Sequence, residues 1–149
     1  AQRGVLELRS LVFYLGFILE DDIYDISQKI AAVTEGMPSF DLAFSRIEGI
    51  ESEEDPKMIW LSGEPSDELR VLRQELERVF TNFTHDKKAF RPHVTLAKLK
   101  RAKWAALPNK PVIQKDVNFV EPVEEVVLYE SLIIDGKRTY EPIDTFPLS

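Results

Sequence analysis

Two stretches of helical spacing stand in a chain whose other apolar runs all read as strands. That proportion restricts the fold more than any other feature of the sequence. Ile23, Ile26 and Ile30 recur at helical intervals behind the acidic start Glu20-Asp21-Asp22, and Gly36 with Pro38 stops the run. Ser66 can cap a second helix whose apolar stripe is Leu69, Leu72, Leu76, Val79 and Phe83. Strands are expected over residues 5–15, 40–44, 57–61, 91–98, 112–120, 124–133 and 138–146, where β-branched and aromatic residues alternate with polar ones. The second and third pair across the acidic turn 51–56, and Asp135-Gly136 joins the last two as a tight hairpin. The order β-α-β-β-α-β-β-β-β, mostly in hairpin connections, predicts an α+β fold with mainly antiparallel sheet in a single domain over residues 1–149. A faint internal repeat supports two related halves. Setting Leu8-Arg9-Ser10-Leu11-Val12 against Pro92-His93-Val94-Thr95-Leu96 puts Arg9 opposite His93 and Leu11 opposite Thr95.

Composition excludes several chemistries. The chain has no cysteine, so disulfides, thiolate metal sites and thiol nucleophiles are ruled out. No apolar run is long enough for a membrane-spanning helix and the N-terminus has no signal-peptide pattern, so no membrane partner and a cytoplasmic location are expected. The formal net charge of −7 argues against bulk attraction to nucleic acid. The distribution says otherwise. Residues 87–115 hold nine Lys or Arg and no Asp or Glu, whereas the rest of the chain carries all 26 acidic residues. Such a basic island in an acidic protein suits an anionic ligand, or else a solvated lysine-rich loop.

At the centre of the island stands Arg91-Pro92-His93-Val94-Thr95-Leu96-Ala97-Lys98. Side chains two apart on a strand share a face, so His93 and Thr95 project together while Val94 and Leu96 are expected to face the core. A neutral imidazole can take up a proton near neutral pH, and a threonine hydroxyl can donate to a phosphate oxygen. Lys98 has the opposite parity from Thr95 unless a bulge shifts the register. The bland alternative is a strand that merely carries two polar residues.

The sequence RPHVTLAKLK resembles the second His-x-Thr signature of the two-histidine phosphoesterases, in particular the RNA 2′,3′-cyclic phosphodiesterases historically called 2′-5′ RNA ligases. LVFYLG at residues 11–16 resembles the strand end after that family's first motif, and residues 126–148 resemble its closing hairpin. The resemblance runs over nearly the whole chain. It implies two pseudo-symmetric lobes of antiparallel sheet with outer helices around a central groove, one His-x-Thr to each lobe. It also implies opening of a terminal 2′,3′-cyclic phosphate to a 2′-phosphomonoester by general acid–base chemistry, with no metal and no cofactor. The partners are RNA ends or nucleotides bearing that cyclic phosphate. His93 takes the part of the base and Thr95 contacts phosphate as the second catalytic residue. Lys98 stands where some members place a phosphate-binding arginine, and Arg91 and Arg9 are further candidates for phosphate contacts.

The chain departs from the pattern at its first motif, where Arg9-Ser10-Leu11 replaces His-x-Thr. Arginine cannot act as a general acid at useful pH, and leucine has no hydroxyl. Family members have an earlier strand and helix, so the resemblance implies a first lobe shortened at its N-terminus. His85, beside Asp86 at the end of the second helix, is a surface residue rather than a replacement acid on this reading. Trp104 and Phe90 can stack a base near the island, or else serve packing. The readings are an impaired cyclic phosphodiesterase, or a catalytically inactive module of the same fold that binds nucleotides or RNA ends. A third is an incomplete version of an active enzyme.

Overall fold

The computed structural model describes residues 2–8, 11–52, 54–80 and 91–149, with side chains from Ile18 onward. The fold is α+β. Among the described residues, eight strands, β1 (Gln2–Leu8), β2 (Leu11–Ile18), β3 (Phe40–Ile50), β4 (Met58–Ser62), β5 (His93–Lys98), β6 (Gln114–Val123), β7 (Glu125–Ile134) and β8 (Lys137–Pro147), form two four-stranded sheets of order β2-β1-β7-β8 and β5-β4-β3-β6. The helices are α1 (Ile23–Thr34), α2 (Asp67–Val79) and the short α3 (Arg101–Ala105), with a 3-10 turn at Glu20–Asp22. The chain divides into two compact units, one of Ala1–Asp41, Ser66–Phe90 and Pro122–Ser149, the other of Leu42–Pro65 and Arg91–Glu121.

The first unit holds both long helices. α2 begins where the sequence predicts, because the Ser66 hydroxyl accepts the Leu69 N–H at 3.2 Å and Asp67 and Glu68 occupy the positive end of the helix. Its stripe Leu69, Leu72 and Leu76 is fully buried, while Phe83 lies outside the described residues. On α1, Ile30 and Val33 are buried, and the buried Thr34 satisfies its hydroxyl on the Ile30 carbonyl at 3.1 Å. Gly36 then adopts φ +77°, which ends the helix at little cost. Val126 and Leu128 of β7 and Phe146 of β8 complete the core. Each such side chain contributes about 1.5–3 kcal/mol of burial. Asp135 and Gly136 both take positive φ, as a tight hairpin requires, and β7 and β8 pair from Glu125↔Pro147 to Ile134↔Lys137.

One expectation fails here. Residues 5–15 are not one strand: β1 ends at Leu8 and β2 starts at Leu11, and the two run antiparallel with Leu8 paired to Leu11. Both arms have strand composition, so periodicity alone cannot see the chain fold back. Arg9 and Ser10 lie outside the described residues.

The second unit carries the His93–Lys98 strand at the edge of its sheet, paired to β4. β3 extends to Ile50, six residues beyond the expected end, and pairs with β4 from Arg46↔Ser62 to Ile50↔Met58. Gly63, directly after β4, crosses the β3 backbone so closely that a Cβ there would lie 1.9 Å from the Ala43 carbonyl oxygen. Its N–H donates to the Pro92 carbonyl at 3.0 Å, which seats the entry to β5. α3 falls between the strands expected over residues 91–98 and 112–120. Its Trp104 is buried and donates from Nε1 to the Glu54 carbonyl at 3.2 Å, so this indole braces the β3–β4 connection. Val94 and Leu96 do not face a core; they are 39% and 51% exposed. Both long helices belong to the first unit, and Leu96 is the extra residue of a β-bulge. Among the described residues, no helix is long and apolar enough to cross a membrane.

Candidate active site

The site is a face of the second sheet, and strand register assembles it. His93 pairs with Ser62, Val94 with Leu61 and Thr95 with Trp60; then the register shifts, so that Ala97 meets Ile59 and Lys98 meets Met58. Paired residues share a face. Ser62, Trp60 and Met58 alternate along β4 on one side, so His93, Thr95 and Lys98 lie on that side too. Without the bulge at Leu96, Lys98 would point away. On β3 the residues paired to Ser62 and Trp60 are Arg46 and Glu48, which extend the same face.

His93 is held in a defined state. Its Nδ1 lies 2.9 Å from the Arg91 carbonyl oxygen. A carbonyl only accepts, so Nδ1 carries a proton, and in the neutral ring Nε2 keeps its lone pair. The ring is half-buried and stacked on Trp60, with centroids 3.9 Å apart and planes 15° from parallel. Such a stack fixes the plane in which Nε2 can act. Thr95 is exposed beside Trp60, with its hydroxyl available to a ligand. Lys98 is exposed and, among the described residues, has no carboxylate partner.

A carboxylate cluster supports this arrangement. Glu48 accepts from the buried Ser62 hydroxyl at 2.9 Å, from Arg46 Nε, and from Arg91 Nη2 at 3.3 Å; Arg46 also reaches Glu64 at 3.3 Å. Burial acts to raise the Glu48 carboxyl, but the hydrogen bonds from Ser62 and Arg46 and the charges of Arg46 and Arg91 outweigh it and hold the group below its ordinary value. The hydrogen bond to Glu48 in turn pushes the Arg46 guanidinium above its usual value. Arg91 thus commits its guanidinium to Glu48 and its carbonyl to His93. The one group in this region left unsatisfied is Trp60 Nε1, buried without a hydrogen-bond partner among the described residues.

His93, Thr95 and Lys98 are therefore brought together. Arg91 stands beside them in an ion pair, and Arg9 and His85 lie outside the described residues. Sequence reasoning missed Glu48, Trp60 and Ser62. The signal was present as three matched pairs, Arg46-x-Glu48, Trp60-x-Ser62 and His93-x-Thr95, each polar or aromatic at strand spacing.

A histidine, a hydroxyl and an ammonium with no ion pair among the described residues, on one sheet face, are suited to phosphoryl chemistry. The profile of the 2′-5′ RNA ligase superfamily matches residues 13–131. The chain belongs to this superfamily. Two curated relatives are each named RNA 2′,3′-cyclic phosphodiesterase: one from Aeropyrum pernix, 28% identical over 74% of this chain and 61% of its own, and one from Thermotoga maritima, 28% identical over 78% and 60%. The chain thus spans about three fifths of the length of these superfamily relatives. Among solved structures, E. coli LigT in apo form superposes with a TM-score of 0.71 at 17% identity, covering 99% of this chain and 98% of that one. TT0787 of Thermus thermophilus gives 0.69 at 18% identity, covering 98% and 97%. LigT complexed with 3′-AMP gives 0.64 at 17% identity, covering 99% and 98%. At such identities these likenesses show a shared fold.

Proposed function

We propose that this protein opens the 2′,3′-cyclic phosphate at an RNA end to a 2′-phosphomonoester, with His93 as general base. Water attacks phosphorus in line with the 3′-oxygen; the new P–O bond forms as the P–O3′ bond of the strained ring breaks. His93 Nε2 accepts the proton of the attacking water and later releases it to solvent. The Thr95 hydroxyl donates to a phosphoryl oxygen, and the Lys98 ammonium offsets the charge spread over the others. Arg91 orients His93 through its carbonyl, and its guanidinium, which meets Glu48 through Nη2 alone, keeps further N–H donors for a phosphoryl oxygen. No side chain at Arg9-Ser10-Leu11 can protonate the departing 3′-oxygen, so that proton comes from water. Arg9 is left to bind a phosphoryl oxygen. General acid catalysis is worth about 10²–10⁴-fold, and the reaction is slowed accordingly.

The observation that supports this reading best is the 2.9 Å contact of His93 Nδ1 with the Arg91 carbonyl, which makes Nδ1 the donor and leaves Nε2 as the basic nitrogen of the neutral ring, on the strand face shared with Thr95 and Lys98. The competing reading, a module that binds RNA ends without cleaving them, rests on the altered first motif. Hydrolysis of an oligoribonucleotide ending in a 2′,3′-cyclic phosphate, by the unaltered chain and by Arg9→His with Leu11→Thr, separates the two. Slow turnover to a 2′-phosphate, accelerated by the double substitution, is the expected result. Tight binding with no product from either protein would favour the module.

A further inference from the structure

Beyond the His93 face, the second unit has a hollow of about 330 Å³ lined by Lys98, Leu99, Lys100, Lys103, Trp104 and Leu107. Its size is at the lower end of ligand pockets, about 300–1,000 Å³. The lining is amphipathic in a particular way. Leu99, Leu107 and the buried Trp104 give an apolar wall, and the Trp104 anchor on Glu54 keeps that wall in place. The three lysines supply only positive charge. Elsewhere in the described chain the basic residues are mostly paired: Lys29 with Asp25, Lys57 with Glu51, Arg70 with Asp67, Arg78 with Glu75. Among the described residues, Lys98, Lys100 and Lys103 have no ion pair, and no acidic residue occurs between 87 and 115. Like charges gathered on one hollow repel each other until an anion enters.

Lys98 ties the hollow to the catalytic face. From the Ser62–His93 pair to the Met58–Lys98 pair is four steps along β4. That is about 13 Å at a strand rise of about 3.3 Å per residue. An extended nucleic acid strand whose terminal phosphorus sits at His93 would carry a further backbone phosphate at such a distance.

We propose that this hollow is a second anion subsite, which takes an internucleotide phosphate of the RNA strand whose cyclic end is opened at His93. The subsite rests on the phosphodiesterase reading and deepens it: the substrate is an oligonucleotide rather than a free cyclic mononucleotide. The apolar wall packs against sugar, and specificity for base sequence is absent because the contacts are to the backbone.

The test pairs two measurements on Lys100→Glu with Lys103→Glu, using Lys137→Glu in the β7–β8 hairpin as a charge control. Fluorescence anisotropy of a labelled oligoribonucleotide over a salt series reads the hollow without turnover. The double variant is expected to bind at least tenfold more weakly, with the slope of log K against log salt shallower by about 0.7 for each phosphate no longer neutralised. In hydrolysis, the ratio of kcat/KM for the oligonucleotide to that for a 2′,3′-cyclic mononucleotide should fall by a similar factor. An unchanged salt slope, or an unchanged ratio, overturns the subsite. A poly-glutamate peptide whose binding the substitutions weaken while the oligonucleotide's is untouched would assign the hollow to an acidic protein and overturn it as well. Absence of turnover with either substrate would count against the phosphodiesterase reading alone, since anisotropy still decides the subsite.

Discussion

Replacing Glu48 by Gln keeps the shape of the side chain and removes the charge that Arg46 and Arg91 share. The Glu48 side chain is 21% exposed, and its arginine partners are about one third exposed. A hydrogen bond to a charged group is worth about 1.5–3 kcal/mol when sheltered, and a partly solvated ion pair well under that. The glutamine can still accept from Ser62 and from one guanidinium. The expected loss is therefore about 1–2 kcal/mol at neutral pH, a drop of several degrees in Tm at roughly 2–4 °C per kcal/mol for a chain of this length. The pH dependence provides the sharper test. Because the folded state holds the Glu48 carboxyl below its ordinary value, the contribution is complete above the unfolded carboxylate pKa and disappears as pH falls through the lowered folded value. Urea unfolding of both proteins at neutral pH and in the acid range should show a gap that closes on acidification. Equal stability at neutral pH, or a gap that persists in acid, would refute the charge cluster as described.

Trp60→Leu should lower kcat for the cyclic phosphate by up to about tenfold with KM little changed, because a stacked ring pair is worth about 0.5–1.5 kcal/mol in holding His93. Trp60→Phe should restore the rate without loss of stability, since it keeps the stack and removes the unpartnered Nε1; kinetics with thermal unfolding check both. Gly63→Ala should destabilise the fold by more than about 3 kcal/mol, or prevent folding, because the new Cβ would meet the Ala43 backbone at 1.9 Å and β3 and β4 cannot separate there without breaking their pairing. Arg9→His with Leu11→Thr should speed turnover by up to about 10²-fold if the added imidazole takes up the role of acid.

How much of this was legible beforehand depended on whether the information was local. The Ser66 cap, the leucine stripe behind it and the Asp135-Gly136 turn are set by residues within a few positions of one another, and the structure bears them out. The break between β1 and β2 carries no Gly, Pro, Asn or Asp, so nothing local marked it. Whether a strand face is covered is decided by residues far along the chain, and Val94 and Leu96, apolar as they are, stay exposed. Within the site, the His93–Thr95 pairing follows from strand alternation alone. Lys98 needed the bulge, and Glu48 and Trp60 needed the register of three strands drawn from residues 46–48, 60–62 and 93–95. Those are non-local facts that a single sequence does not carry.

The central claim is that the unprotonated Nε2 of His93 performs the chemistry. Single-turnover hydrolysis of an oligoribonucleotide 2′,3′-cyclic phosphate by the chain and by His93→Ala measures it directly. A product carrying a 2′-phosphate, formed at least about 10²-fold more slowly by the variant while it still binds the oligonucleotide, is the outcome predicted. Equal rates from the two proteins would contradict it.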